Sequence, residues 1–420
     1  MKKLVLILLI VTLLPPLFAQ GADTETSDKF GGGGQPEKSG NFTGFAREYV
    51  EVGSDMRTGL DNSLIRIGDF FQRDIVIDMN KISSSIRDGG FNINADGNGN
   101  ILYVDIINRA IKEGVWSFGF FINAEGKINL NVPKSLFTLI TQGNIDQHSF
   151  EGMISASGGV YADAGLSASA KYGKLRIGLR PSLFTPLIFI PRSGISYRLE
   201  TEDAVDLTTS GEINIYYPLD ENGNFTGLKF GFDVTLDGEY ALLPILDIGG
   251  AISRIPFAPA TLQNRMKLGM SEINYHLDGE KIMKGGMDDM PNIGKFEDPV
   301  FDTAPHKVFR PFRFDAYARY KPFSTEILVV RPNIGFSVDI NDKKGYFNTG
   351  LEIQSTLARD IIRLHLGTGY EETIWKHRLG FAVNLRAFEL GLEAALRADS
   401  FPGSFRAQGF GARLSTRFGW

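Results

Sequence analysis

The sequence predicts an all-β protein, a transmembrane antiparallel β-barrel, on three observations. First, the last residues alternate: positions 410 to 420 carry Phe, Ala, Leu, Thr, Phe and Trp at even numbers, with only Gly, Arg and Ser between them. Alternate side chains of a strand point to opposite faces. Second, the preceding segments repeat this pattern. Third, the N-terminus predicts export. In a membrane barrel the apolar face contacts lipid and the polar face lines the lumen.

The apolar run from Leu4 to Phe18 follows Lys2 and Lys3 and leads into Ala19. A charged start, an apolar stretch and a small residue are typical of a secretory signal peptide. Two prolines at positions 15 and 16 interrupt the run, which is also short for a spanning helix. We therefore predict a cleaved signal peptide at residues 1–19, with Ala22 as the alternative cleavage point.

Composition excludes several classes of protein. The 420 residues contain no cysteine, so disulfides and thiolate metal sites are excluded. The formal net charge is −5 and there is no run of Lys or Arg, so nucleic acid is not an expected partner. A hydrophobic content of 43% is too low for a bundle of membrane helices.

The chain divides into four regions. After the signal peptide, residues 20–46 form a flexible glycine-rich linker around four consecutive glycines, 31–34. Residues 47–150 form a mixed N-terminal segment that could supply a lumen plug and the first barrel strands. Residues 151–420 form the barrel. Within it, residues 256–310 lose the alternation and contain several prolines, which predicts a long outer loop.

Two stretches rich in Asp, Asn and Gly, residues 96–100 and 220–224, have the oxygen spacing of a calcium loop. Ile101 and Ile107 stand where the first of them would need a glycine and a glutamate, and the second fails in the same way. Both are predicted turns, and no metal or cofactor is expected.

Seven strands are predicted to close the barrel, near residues 312–320, 327–340, 346–357, 361–370, 374–386, 388–398 and 404–420. The face opposite their apolar stripe carries ten basic and six acidic residues, predicted to face the lumen. The basic ones are Arg313, Arg319, Arg331, Arg363, Lys376, Arg378, Arg386, Arg397, Arg413 and Arg417. The acidic ones are Asp315, Asp339, Glu352, Glu389, Glu393 and Asp399. A basic wall predicts anion preference in an open lumen, although a plugged or narrow lumen is favoured.

The hairpin that runs from Gly231 to Tyr240 and continues to Gly249 resembles a recurrent hairpin of outer-membrane barrels related to the long-chain fatty acid transporters. A last strand that ends in Phe418 and Trp420 resembles the closing strand of bacterial outer-membrane barrels, whose terminal aromatic residue is read by the insertion machinery. The resemblance implies about 14 strands, within a range of roughly 12 to 16, in the outer membrane. It also implies an N-terminal plug and a hydrophobic small-molecule ligand. The Asn-Pro of the plug in that family is absent from this sequence.

No catalytic residues are predicted. The five histidines include no pair in a zinc-protease motif, and there is no Gly-x-Ser-x-Gly elbow. Two functions remain open. One is a channel or transporter for hydrophobic or small solutes. The other is a non-transporting surface or assembly-accessory barrel, such as an adhesin or a secretion partner, in contact with outer-membrane lipid and the barrel-insertion machinery.

Overall fold

The computed structural model describes residues 50–63, 86, 90–108, 114–142, 149–200, 204–219, 229–278, 299–323, 327–358, 361–385, 387–406 and 408–419. The predicted signal peptide and linker lie outside these residues, as does the stretch 220–224. Two helices are described, α1 (Lys134–Gln142) and α2 (Phe401–Ser404). No helix in the described part of the chain has the length and apolar character needed to cross a membrane.

Seventeen strands are described. Their bounds are β1 Val50–Asn62, β2 Phe91–Asn108, β3 Gly114–Val132, β4 Ser149–Tyr172, β5 Leu175–Glu200, β6 Ala204–Tyr217, β7 Gly231–Leu243, β8 Leu246–Ala258, β9 Ala260–Asp278, β10 Val300–Val308, β11 Phe312–Tyr320, β12 Leu328–Asp339, β13 Lys344–Leu357, β14 Ile362–Glu371, β15 Ile374–Leu385, β16 Phe388–Ala398 and β17 Gly409–Gly419.

Fourteen of these strands form a closed antiparallel ring. Its order is β1, β2, β3, β4, β5, β7, β8, β11, then β12 to β17 in sequence. The last strand pairs with the first, with Val52 opposite Phe418 and Leu60 opposite Phe410, so no edge is left in the ring. A closed barrel is one of the few structures that can satisfy its backbone in lipid. The predicted barrel of about 14 strands is confirmed.

The other three strands continue the wall beyond the ring on one side. The N-terminal part of β5, Leu175–Phe184, pairs with β7. Its C-terminal part, which we call the upper part, pairs with β6 from Gly194 onward. Strand β6 in turn pairs with β9, and β9 with β10. We call β6, β9, β10 and the upper part of β5 the extension, and the end of the ring from which it rises the extension end.

The outer surface of the ring is apolar and its inner surface is polar. On β16, Leu392 and Leu396 are exposed whereas Glu389 and Arg397 are buried. On β14, Ile362, Leu364 and Leu366 are likewise exposed. An apolar exterior of this extent is typical of a surface that contacts lipid.

Several inward aromatic rings lie over a glycine of the adjacent strand. A Cβ atom at Gly249 would lie well inside van der Waals contact of the Tyr317 ring, and one at Gly231 would meet the Phe184 ring. An arginine also lies over each of the two rings. The Arg331 guanidinium is 4.2 Å from the centroid of Tyr317, and that of Arg310 is 5.0 Å from the centroid of Phe184. At both places a glycine, an aromatic ring and an arginine therefore pack against one another on the inner wall.

The structure changes two expectations and narrows a third. Residues 256–310 are not an irregular loop in their described part, because they contain β9 and β10. Residues 96–100 are not a turn but the middle of β2. Within the region 47–150, the ranges 50–62, 91–108 and 114–132 belong to the barrel wall, so these ranges do not form a plug.

Candidate functional site

Ion pairs follow the inner wall, where the structure places most of the charged residues predicted to face the lumen. Arg413 Nη2 on β17 lies 2.6 Å from Asp55 Oδ2 on β1, and Arg363 Nη1 on β14 lies 3.1 Å from Glu389 Oε2 on β16. Further pairs are Arg417–Glu389 at 3.7 Å, Arg331–Glu352 at 3.8 Å, Arg378–Glu352 at 3.4 Å, Arg313–Asp315 at 2.9 Å and Arg319–Asp247 at 3.8 Å. These pairs lie within one strand or join strands separated by at most one other strand.

Two more carboxylates, Glu371 and Glu393, form ion pairs or hydrogen bonds on this wall. Glu371 pairs with Lys376 and with Arg378, at 2.7 Å each. Glu393 on β16 lies 2.9 Å from Nδ1 of His365. The basic side chains named here are thus paired with carboxylates.

The remaining residues singled out from the sequence lie elsewhere. Asp339, at the end of β12, accepts a hydrogen bond from the backbone N–H of Asn341 at 2.9 Å. Asp399 lies in the bend that follows β16. Phe418 is 51% exposed on the outer surface, with its ring centroid 4.9 Å from that of Phe388. Arg386 and Trp420 lie outside the described residues.

Several basic residues of the seven closing strands pair with carboxylates outside the predicted set. Acidic partners that the sequence interpretation missed come from β1, β2 and β8 and from the end of β14; they are Asp55, Asp61, Asp96, Asp247 and Glu371. Arg397, for example, pairs with both Asp61 and Asp96. A sequence signal existed for some of them, because Asp55 and Asp61 share the strand face of Arg57.

At one level, ion pairs reach across the lumen instead of along the wall. Glu125 on β3 pairs with Arg254 on β8. Lys127, two residues further on β3, reaches Glu372 in the turn between β14 and β15, with 2.5 Å between Nζ and Oε2. Asp96, which is opposite Lys127 in the β2–β3 register, lies 3.8 Å from Lys376 on β15. The lumen is therefore spanned in several directions at this level.

Arg310 completes this level from the three-residue link between β10 and β11. Its guanidinium lies 2.5 Å from Asp163 Oδ1, donates two hydrogen bonds of 2.7 Å to Asp233, and lies 3.8 Å from Glu125 Oε1. We define the luminal layer as the side chains that meet at this level. They are Asp96, Glu125, Lys127, Asp163, Asp233, Arg254, Arg310, Glu372 and Lys376.

The electrostatics of the layer favour full ionisation in the two groups that lie outside the strands. Burial alone would lower the pKa of Arg310, but the nearby carboxylates of Asp163, Asp233 and Glu125 raise it. Burial opposes the ionisation of Glu372, yet the charge and hydrogen bond of Lys127 lower the pKa of Glu372 to about 2. Both groups are charged at neutral pH, so the layer is held by ion pairs.

An apolar cluster adjoins the layer where the extension leaves the ring. Its members come from β4, β5, β6, β9 and β10; they are Tyr161, Phe184, Phe189, Tyr216, Ala260, Leu262 and Val308. The imidazole of His306 is stacked between two of them, 5.4 Å from the ring centroid of Phe189 and 4.4 Å from that of Tyr216. The cluster therefore lies directly beside the layer, since the Arg310 guanidinium is over the ring of Phe184.

The described residues contain no group of three or more His, Cys, Asp or Glu side chains that could hold a metal ion. The fold and the lined interior define the class: the chain is a transmembrane β-barrel whose charged lumen is spanned by ion pairs at one level.

Residues 45–227 match a family of unknown function, DUF5723. No curated protein matches the chain. Among solved structures, the chain is similar to the toluene transporter TodX of Pseudomonas putida, with 9% identity over 89% of this chain and 91% of that one and a TM-score of 0.47. It is similar to the toluene transporter TbuX of Ralstonia pickettii, with 9% identity, 90% and 91% coverage and a TM-score of 0.45. A Pseudomonas aeruginosa homologue of FadL gives 9% identity, 89% and 90% coverage and a TM-score of 0.42.

Proposed function

We propose that this protein is a channel or transporter of the outer membrane for hydrophobic or other small solutes, held closed by the luminal layer. The observation that carries the proposal is the restriction of the cross-lumen contacts described above to one level. Beside this level, the pairs described along the wall, such as Arg413–Asp55 and Arg363–Glu389, leave the opposite sides of the ring unconnected. One layer of side chains can be displaced without unfolding the wall, and this is what a gated lumen requires.

The class of solute follows from what lies beside the layer. The rings of Phe184, Phe189 and Tyr216 are buried beside the layer, and displacement of the layer would give a hydrophobic solute an apolar surface to contact. Ligand sites are mostly apolar, with a few polar groups that fix orientation. A hydrophobic small molecule is therefore the proposed ligand. Insertion through the barrel-assembly machinery and contact with outer-membrane lipid accompany this assignment, because the apolar exterior requires a bilayer.

A second candidate function rests on the extension. Strands β6, β9 and β10 project beyond the ring, and a surface or assembly-accessory barrel would use such a projection as a contact surface. In that case the luminal layer is a permanent brace, and no solute crosses.

Uptake of labelled oleate and toluene, measured in cells of a Gram-negative host without its own transporter for either solute, separates the two functions. The transport proposal predicts faster uptake than in cells that produce an unrelated closed barrel at equal abundance. A Glu352→Gln variant, which changes a wall pair outside the layer, should keep the uptake of the unmodified protein. Uptake at the level of the closed-barrel control for both solutes would contradict transport and favour the accessory role.

A further inference from the structure

We propose that the luminal layer is released from outside the lumen, through the turn between β12 and β13, with Asn341 as the positioning residue and Arg310 as the latch. This proposal rests on the proposed function, because it assigns the release step of the same layer. It is argued from the contacts of two adjacent residues, Phe309 and Arg310, which lie between the extension and the ring.

Among the described residues of the layer, Arg310 alone lies outside the ring strands and their hairpin turns. It lies between β10 of the extension and β11 of the ring, and its side chain is 5% exposed. Its contacts are with Asp163 on β4, Asp233 on β7 and Ser182 on β5, the last at 2.7 Å from Nη2. The guanidinium therefore joins the link to three other strands of the wall.

The backbone just before Arg310 is held by one side chain. Oδ1 of Asn341 accepts a hydrogen bond from the backbone N–H of Phe309 at 3.0 Å, and Nδ2 of Asn341 donates one to the Phe309 carbonyl at 2.7 Å. Asn341 is itself fixed, because Oδ1 of Asp339 accepts hydrogen bonds from its backbone N–H at 2.9 Å and from its side chain at 3.2 Å. The turn thus fixes the position of the link by two bonds.

The same turn also contacts the extension. Oδ1 of Asp342 accepts a hydrogen bond from the backbone N–H of Arg192 on β5, at 3.3 Å. A displacement of this turn or of β10 therefore acts on the link that carries Arg310. Consecutive Cα atoms are about 3.8 Å apart, so a shift of Phe309 moves Arg310 with it, and hydrogen bonds weaken steeply outside a narrow range of distance and angle.

The closed state is the default for an electrostatic reason. Withdrawal of Arg310 leaves the buried carboxylates of Asp163 and Asp233 without their cation, which is costly. Release needs a compensating event at the turn or the extension. Position 341 therefore sets how often the layer opens, and Arg310 sets the charge that an opened lumen presents.

Single-channel recording in planar bilayers, with purified full-length protein in a KCl gradient, tests this coupling without any solute. Asn341→Ala removes both bonds to Phe309 and leaves every charge in place. We expect about a tenfold rise in open probability, which is the equilibrium change that corresponds to about 1.4 kcal/mol. We expect little selectivity between potassium and chloride. Arg310→Gln should open the layer more often and shift the reversal potential towards cations, because Asp163 and Asp233 lose their ion pairs with Arg310 while Glu125 keeps Arg254.

Two variants serve as controls. Arg198→Gln and Glu200→Gln each remove one side of an exposed ion pair of the extension that contacts neither the turn nor the layer. Both should record like the unmodified protein. Heat-modifiable migration on gels checks that each variant is folded, and Asn341→Ala remains informative if Arg310→Gln fails to fold.

Folded Asn341→Ala protein with unchanged open probability would overturn the coupling. The same applies if folded Arg310→Gln protein opens without cation preference. The proposed function is judged separately by solute uptake. If the variants change the open probability as expected but no solute uptake is found, transport is refuted and the latch proposal stands. If uptake is found but the variants do not change the open probability, the latch proposal is refuted and transport stands.

Discussion

Lys127 and Glu372 form an ion pair across the lumen, with 2.5 Å between Nζ and Oε2, although 245 residues separate them in the sequence. Glu372 is fixed on its own side, since its backbone N–H donates to Oδ1 of Asn348 at 2.9 Å and its Oε1 accepts from Ser337 at 3.2 Å. Lys127 also lies 5.6 Å from the ring centroid of Tyr346 on β13. One residue of β3 is therefore tied to the far wall of the ring.

This pair predicts a defined loss of stability in acid. The pKa of Glu372 is lowered to about 2 in the folded barrel, below the value of about 4.3 for an unfolded glutamate. Its contribution is fully present above the unfolded pKa and is lost as the pH falls towards 2. The temperature at which heat-modifiable migration is lost should fall between pH 5 and 2 (roughly the range set by these two values), and Glu372→Gln should remove part of that fall.

The matched control is Glu200→Gln, which changes an exposed pair with Arg198 and should leave the acid profile unchanged. A Glu372→Gln profile that superimposes on that of the unmodified protein would show that the Lys127 pair does not stabilise the fold.

The stacking of Tyr317 on Gly249 predicts a stability difference between two neighbouring glycines. A methyl group at Gly249 would overlap the Tyr317 ring, whereas at Gly238 its nearest atom is the Arg176 carbonyl oxygen at 3.6 Å. Gly249→Ala should therefore destabilise the barrel by about 1–3 kcal/mol. Gly238→Ala should stay within about 0.5 kcal/mol of the unmodified protein. Urea unfolding from detergent or lipid measures both, and equal costs would contradict the packing.

The terminal strand predicts a defect in assembly. Phe418 is exposed on the outer surface against Phe388, and the sequence pattern predicts that Phe418 and Trp420 are the insertion signal. If these aromatics are the insertion signal, truncation of residues 417–420 should leave degraded chains in the periplasm. Phe410→Ala, on the same strand and face, should still assemble. Fractionation and protease protection give the readout, and normal insertion of the truncated chain would contradict this role.

The wall of the barrel could be predicted because alternation in the sequence assigns each residue to a face. From Ile362 to Leu366, apolar and polar residues alternate on β14 as they do in the sequence. Strands β1 and β2 were harder. The stretch from Asp96 to Asn100 consists only of Asp, Gly and Asn, residue types that normally indicate turns. In a lumen, polar residues on a strand are satisfied by partners across the ladder, so the turn signal misleads.

The luminal layer could not be predicted, because periodicity assigns a face but not the partner on the opposite wall. Nothing in the local sequence of Arg310 indicates that its guanidinium reaches Asp163 and Asp233. Residues 256–310 were interpreted as a loop because prolines such as Pro259 and Pro305 normally argue against strands. Pro259 falls in the break between β8 and β9, and Pro305 lies at an irregularity in the register of β10 with β9, where strands tolerate proline.

The most direct measurement of the central claim is the conductance of single barrels in which β3 has lost the two side chains that form ion pairs across the lumen, Glu125 and Lys127. The variant Glu125→Gln with Lys127→Gln removes the pairs with Arg254 and Glu372 but keeps similar side-chain volume. Arg331→Gln with Glu352→Gln removes two pairs along the wall, Arg331–Glu352 and Arg378–Glu352, as the control. We predict that the unmodified protein and the control conduct almost no current, whereas the β3 variant opens steadily. A folded β3 variant that stays as silent as the unmodified protein would show that the luminal layer does not close this barrel.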